Sequence, residues 1–497
     1  MNYVAEAEDL VRNLRNRMGP SAYDIAWLAR LRDPSTGDAR WPDLVVWLLE
    51  HQQPDGSWGG EIPYYHDRII STLSACIALQ QNGRSRSSEE AIARAEKFLW
   101  RNLHLLARDP FELVGFELIF PTLLAEAQQL GLDVPTHTCG YGRIQTTKLR
   151  LIPPEMLYSP HVSTILSIEF LGRSGQVGKL REALTEIGSL GNSPAATAYY
   201  LSLIGDDDQA LEYLESVRSH MPHIIPVFPF RTFELTWVLN NLAAANLSIR
   251  HMISEDAWRT LQHELNRHSV GFDPTFEVPD GDTTSVCCRV LLAAGYNVDP
   301  QILQQYEDRQ KQVFRTYFYE RNPSVSTNVH ALEALSLMKD YPNRAEVQDQ
   351  IITMLLDSRK YNTFWIDKWH ASPYYATAHT LTALLNAREY LAPVCQHTVD
   401  WIEHTQRDDG SWGYFEHGTI EETAFAMSAL LHFNRRRPVD AETLHRGAAY
   451  LAREHRGPAS TYPQLWIVKS LYAPYDIVRS SILGALIMYE QTFGRTP

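Results

Sequence analysis

The chain has 497 residues, 44% hydrophobic and 11% aromatic, which is more than one compact core accommodates and enough for two domains. Its formal charge of −14 excludes the basic face that a nucleic-acid partner requires. The five cysteines (Cys76, Cys139, Cys287, Cys288 and Cys395) are scattered with no C-x-x-C pair, which argues against a disulfide framework or a zinc site and predicts a reduced cytoplasmic compartment.

No basic-then-apolar leader is read, and no apolar run approaches the roughly 18 to 20 residues of a membrane span, so no integral membrane segment is expected. Helical spacing runs from end to end, as in residues 43–50 and 69–79, and strand alternation is almost absent. Gly, Pro and Asn cut the pattern into segments of about 10 to 16 residues, the length of paired helices in a toroid or bundle. Residues 53–59 (Gln-Pro-Asp-Gly-Ser-Trp-Gly) nearly repeat in residues 406–413 (Gln-Arg-Asp-Asp-Gly-Ser-Trp-Gly). Each follows a helix with a tryptophan, Trp47 or Trp401, and precedes another helix, so both read as structural staples in two related helical domains. Asp206-Asp207-Asp208 reads as an acidic cap on the helix beginning near Ala210. Breaks fall near residue 20 and at residues 250–275. Residues 278–285 (Val-Pro-Asp-Gly-Asp-Thr-Thr-Ser) then set Asp280 and Asp282 two apart, where a loop enters an apolar helix that ends at Gly295. A helix dipole there favours the carboxylate, so only burial or the neighbouring acid would keep one of them protonated, and a solvated turn and cap is the competing reading.

Asp280-Gly281-Asp282-Thr283-Thr284, the two Trp-Gly turns, residues 115–121 (Gly-Phe-Glu-Leu-Ile-Phe-Pro) and residues 193–199 (Ser-Pro-Ala-Ala-Thr-Ala-Tyr) together resemble class II diterpene cyclases along nearly the whole chain. Residues 21–27 (Ser-Ala-Tyr-Asp-Ile-Ala-Trp), 327–330 (Thr-Asn-Val-His) and 367–375 (Asp-Lys-Trp-His-Ala-Ser-Pro-Tyr-Tyr) are similar to the bacterial branch that makes halimadienyl (tuberculosinyl) or kolavenyl diphosphate. The resemblance implies an all-α fold of two α/α barrels, β and γ, with the active site between them. A β domain would comprise residues 1–20 and 260–497, with γ inserted as residues 21–259. The family's acid motif is Asp-x-Asp-Asp; here Thr283 stands last, as in the halimadienyl-type branch.

That resemblance assigns Asp282 as the acid that protonates an alkene, a weak base needing a pocket free of competing water. Asp280 would share a hydrogen bond or proton with it, and Thr283 or Thr284 would bind its unprotonated oxygen. Aromatic walls would stabilise the carbocation. Trp369 and Tyr374, flanking His370, are the preferred pair, with Trp237 next and Trp365, Tyr375, Tyr414 and Trp466 as further candidates. His370 or His379 is expected to be a terminal base, an orienting group or a core histidine. Lys148 and Arg150 match the region that holds the diphosphate, and Asp109 with Glu112 would contribute to a magnesium site. No Asp-Asp-x-x-Asp cluster is present to ionise the diphosphate, so it should survive. Plant cyclases carry a base histidine before a Ser-Leu-Glu run, whereas this chain has Leu166-Ser167-Ile168-Glu169, which favours a longer-lived cation and a rearranged halimane or clerodane skeleton.

The expected substrate is geranylgeranyl diphosphate and the expected product a bicyclic diterpenyl diphosphate, handed to a downstream diterpene synthase or phosphatase. The alternatives are a labdane-type copalyl diphosphate synthase, a drimenyl-type cyclase using farnesyl diphosphate, a squalene-hopene-type cyclase and a non-catalytic α/α toroid scaffold. A prenyltransferase β subunit would need an Asp, Cys, His zinc site that is not evident.

Overall fold

The structure is a computed structural model that describes residues 2–83, 85–320 and 322–494. Helices dominate it, and two of the helix sets close into rings. In the first, α2 (Ala22–Ala29), α3 (Tyr65–Gln81), α4 (Phe116–Gln129), a kinked 3-10 segment (Ser163–Ser174) and α6 (Pro194–Ile204) pack in succession, and α6 returns to α2. Helix α5 (Tyr141–Leu151) lies outside on α4. The second ring runs through α7 (Arg231–Ala244), α8 (Gly281–Ala293), α9 (Val325–Leu337), α10 (Pro373–Ala387), α11 (Ile420–Asn434) and α12 (Tyr475–Phe493), which packs back on α7. The N-terminal helix α1 (Tyr3–Arg12) rests on α7 and α12.

Inner and outer helices differ as their sequences require. The inner helix α8 is buried continuously from Gly281 to Leu291, whereas the outer Ala441–Glu454 buries Leu444, Ala448 and Leu451 on one face. Side-chain caps start several of the inner helices: Ser21 accepts from the Asp24 amide, Ser193 from Ala196, Ser324 from Thr327 and Thr419 from Glu422. Two short antiparallel pairs complete the fold, β1–β2 (Glu307–Asp308, Val313–Phe314) and β3–β4 (Trp466–Ile467, Leu471–Tyr472).

One boundary differs from expectation. Residues 231–244 were placed in the inserted unit, but α7 packs between α8 and α12, and the expected break at 259/260 falls inside the helix Glu255–His268. The buried face of α7, including Trp237, Val238 and Leu239, closes the second ring, so the chain enters that ring before Arg231.

The two repeated turns are staples of the same design. Trp58 donates its indole N–H to the Leu48 carbonyl (2.7 Å) and its amide to Thr72 Oγ1 (3.0 Å); Trp412 does the same with Ile402 (2.7 Å) and Thr423 (3.0 Å). Asp55 and Asp409 each accept from the amide and hydroxyl of the serine two residues on. The glutamine matching Gln406 is Gln52 rather than Gln53: both bond a turn carbonyl and the next outer helix, at Ala91 or Thr443. Trp365 repeats the geometry with Leu355 (2.6 Å) and Thr377 (3.0 Å), in a turn without the Asp-Gly-Ser signature. Gly410 has φ +89° and a Cβ there would lie 2.5 Å from the Arg446 carbonyl oxygen. Gly410→Ala should therefore lower the thermal midpoint and cost more than about 1 kcal/mol, which calorimetry or urea unfolding would measure.

Candidate active site

Asp280 is the N-cap of α8. Its Oδ1 accepts from the Thr283 amide (2.6 Å) and its Oδ2 from the Thr283 hydroxyl (2.9 Å). Gly281 follows because the chain at Arg315 passes so close that a Cβ would sit 2.1 Å from its carbonyl oxygen. Burial pushes the Asp280 carboxyl up to about 7, against the opposing pull of the Thr283 bonds. Thr283 or Thr284 was expected to serve Asp282; the Thr283 hydroxyl donates to Asp280 and the Thr284 hydroxyl to the Val270 carbonyl (3.1 Å) instead.

Asp282, one residue into the helix, turns toward α9. His330 Nδ1 lies 2.6 Å from its Oδ1, and Ser326 Oγ lies 3.4 Å from its Oδ2. The His330 ring is fully buried, which alone would lower its pKa, but the adjoining Asp282 carboxylate outweighs burial and raises it above the ordinary imidazole value. Its Nε2 has no partner among the described residues. Asp367 supports the arrangement from behind: Ser324 Oγ and the Ser326 amide donate to its Oδ1, while Ser326 Oγ and the Trp369 amide donate to its Oδ2. His330 and Asp367 were not assigned from sequence, although both lie in quoted motifs. The available signal was the four-residue step from Ser326 to His330, which puts both on one face of α9.

Asp280, Asp282 and Thr283 line a cavity of about 220 Å³. Most of its remaining wall is aromatic or aliphatic, including Trp237, Trp369, Tyr375, Trp466, Tyr317 and Tyr472. Trp237 meets His330 edge-on, with ring centroids 5.4 Å apart. The first ring and its flanks add Val114, Ser163 and Leu166, so the cavity lies at the junction of the rings.

Several expected site residues lie elsewhere. Tyr374 stacks on Trp401 (4.9 Å) and donates its hydroxyl to Thr405 (2.8 Å), away from the cavity; Tyr375, turned about 100° around the helix, is the wall residue. His370 stands behind the wall, stacked on Tyr375 (4.7 Å) and accepting at Nδ1 from the Ser372 amide (3.1 Å). Trp365 is a staple, and Tyr414 is exposed. Lys148 on α5 is bound to Glu117 of α4, and Arg150 is exposed; neither lines the cavity. Asp109 takes the backbone N–H and ring Nδ1 of His66, both at 2.7 Å, and Glu112 is exposed. Among the described residues no group of three or more His, Cys, Asp or Glu comes together to hold a metal. Asp109 is thus already bonded to His66, and neither it nor Glu112 lines the cavity. Asp207 caps the helix Asp208–His220 as expected.

The squalene-hopene cyclase C-terminal domain family model matches residues 320–467. The chain is 36% identical to a type B diterpene cyclase of Mycobacterium tuberculosis, over 96% of this chain and 97% of that protein. It is 29% identical to the (+)-kolavenyl diphosphate synthase of Herpetosiphon aurantiacus, over 97% of each. Among solved structures, ent-copalyl diphosphate synthase from Streptomyces platensis superposes with a TM-score of 0.81 at 28% identity, over 98% of each chain. The chain belongs to the class II diterpene cyclase family. No described helix is long and apolar enough to cross a membrane.

The buried cap has a measurable consequence. Because the folded chain holds the Asp280 proton up to about pH 7, its contribution to stability is full below the ordinary carboxyl range, near pH about 4, and is lost as pH rises through about 7. Asn caps as well as Asp and does not titrate. Asp280→Asn should therefore gain stability relative to wild type as pH rises through this window, read by urea unfolding at a series of pH values.

Proposed function

We propose that this cyclase protonates the terminal alkene of geranylgeranyl diphosphate and closes two rings, retaining the diphosphate and releasing a rearranged halimadienyl or kolavenyl diphosphate. The observation that carries the reading is the placement of Asp282. One oxygen is held by His330, and the carboxyl lines a cavity whose wall is mostly hydrocarbon and aromatic. His330 Nδ1 bonds Oδ1, leaving Oδ2 to carry the transferable proton. As that proton leaves for the alkene, the His330 ring faces the carboxylate that forms and holds it through this bond, which favours transfer. Trp237, Tyr375 and Trp466 then present π faces or ring edges to the migrating charge without supplying water. Loss of a proton from the cation to solvent completes an isomerisation with no net change in the substrate's atoms, and Asp282 takes a proton back from solvent before the next turnover.

Incubation of the purified protein with geranylgeranyl diphosphate, dephosphorylation and product identification by mass spectrometry and NMR tests the reading. Asp282→Asn should lower turnover by about 10²- to 10⁴-fold while leaving the fold intact. Turnover that survives in this variant, or no bicyclic product from the wild type, would refute it.

Rearrangement is supported by Leu166, which occupies the cavity wall where plant cyclases carry a base in the corresponding run. A cation that meets leucine rather than a histidine base at this wall persists longer, which favours hydride and methyl shifts. The second reading, an unrearranged labdane, is favoured by the similarity to the ent-copalyl enzyme. Leu166→His should discriminate: it is expected to divert product toward earlier deprotonation, seen as a new labdane peak in gas chromatography.

A further inference from the structure

Three of the motifs read in the sequence, residues 21–27, 166–169 and 193–199, do not touch the acid. In the structure they converge inside the first ring on the tip of a hairpin that belongs in sequence to the second. Each residue of that tip, 468–471, is held. The Val114 amide donates to the Val468 carbonyl (2.9 Å). Lys469 Nζ donates to Glu169 Oε1 (2.7 Å) and Ser193 Oγ (2.6 Å). The hydroxyls of Ser470 and Ser21 lie 2.9 Å apart, and the Leu471 amide donates to Asp67 Oδ1 (3.0 Å). Tyr23 donates its hydroxyl to the same Glu169 oxygen (2.9 Å). The base of the hairpin is tied to the second ring, with Trp466 Nε1 on Glu421 (2.7 Å) and the Ile467 amide on the Trp369 carbonyl (2.9 Å).

Lys469 and Glu169 have no solvent-exposed side-chain surface, so each charge depends on the other. The hairpin so anchored carries Trp466, Ile467, Val468 and Tyr472, all on the cavity wall. Strands of two residues cannot maintain their own register, so the wall takes its shape from these outside attachments. We propose that Lys469 is a positioning and specificity-determining residue: by locking the hairpin tip into the first ring against Glu169 and Ser193, it sets the contour on which the polyene folds. The inference rests on the cyclase reading above and assigns a part of its specificity.

The test compares wild type, Lys469→Met and the double variant Lys469→Met/Glu169→Gln, which removes the charge that the single change leaves unpaired. Folding is checked by thermal melting, and each protein is assayed with geranylgeranyl diphosphate. In the folded double variant the share of minor products should rise about tenfold, with a higher KM and a smaller effect on kcat, as expected when the wall rather than the acid has moved. A wild-type product ratio and KM in that variant would overturn the role, since a purely structural contact changes only the amount of folded enzyme. No turnover by the wild type would instead overturn the substrate reading. Hydrogen exchange decides the positioning role without turnover: faster exchange through residues 466–472 and 369–371 in the double variant supports it, and exchange altered only around Glu169 and Ser193 overturns it.

Discussion

The contact between Asp282 and His330, 2.6 Å across the seam of α8 and α9, fixes one of the two carboxyls that line the cavity. Its geometry depends on how both helices begin. Asp280 caps α8, and Ser324 caps α9. Asp367, from the segment before α10, then binds Ser324, Ser326 and the Trp369 amide with its two oxygens. A single buried carboxylate thus registers the start of α9, the serine beside the acid and a tryptophan of the wall. Acid and wall cannot move independently.

Opposing electrostatic effects meet at the same place. The N-terminus of α8 presents unpaired amides and the positive end of a helix dipole, which favour a carboxylate. Burial disfavours it, and at Asp280 burial prevails, as the rise to about 7 shows. Asp367 is raised by burial as well, despite its donors. The surroundings of Asp282 are therefore dry enough to penalise charge on its neighbours, while the Asp282 carboxylate raises the pKa of the His330 ring beside it against the effect of burial. Dryness of this kind suits protonation of a weak base.

Much of this was legible in the sequence, and the rest was hidden for identifiable reasons. Helical period, the two Trp-Gly turns and the paired acids depend on local spacing, and each could be read. Trp365 makes the same bonds as Trp58 and Trp412, but its turn lacks Asp-Gly-Ser, so only the indole and the threonine twelve residues on remained as clues. His330 was visible as a motif residue, yet its partner is 48 positions away, and a pairing across helices leaves no periodic trace. Tyr374 and Tyr375 are adjacent residues of like chemistry on a helix buried all round, so nothing in the pattern says which faces the cavity. Lys148 carries the expected charge but spends it on Glu117. The boundary was expected after α7 because the helical pattern breaks at residues 250–275; ring membership is decided by what α7 packs against.

The division of labour between acid and wall also explains why such a chain declares its reaction more readily than its product. The groups bonded around Asp282 cluster in short motifs: residues 280–283, 326–330 and 367. The cavity wall is built from side chains drawn from segments far apart in the chain, among them Val114, Leu166, Phe233, Phe272, Trp466 and Tyr472. A wall assembled at the junction of two rings is shaped by how the rings meet, and that information is spread over the whole chain rather than held in any one motif. Reaction class is a local property of this sequence; product identity is a property of its tertiary structure.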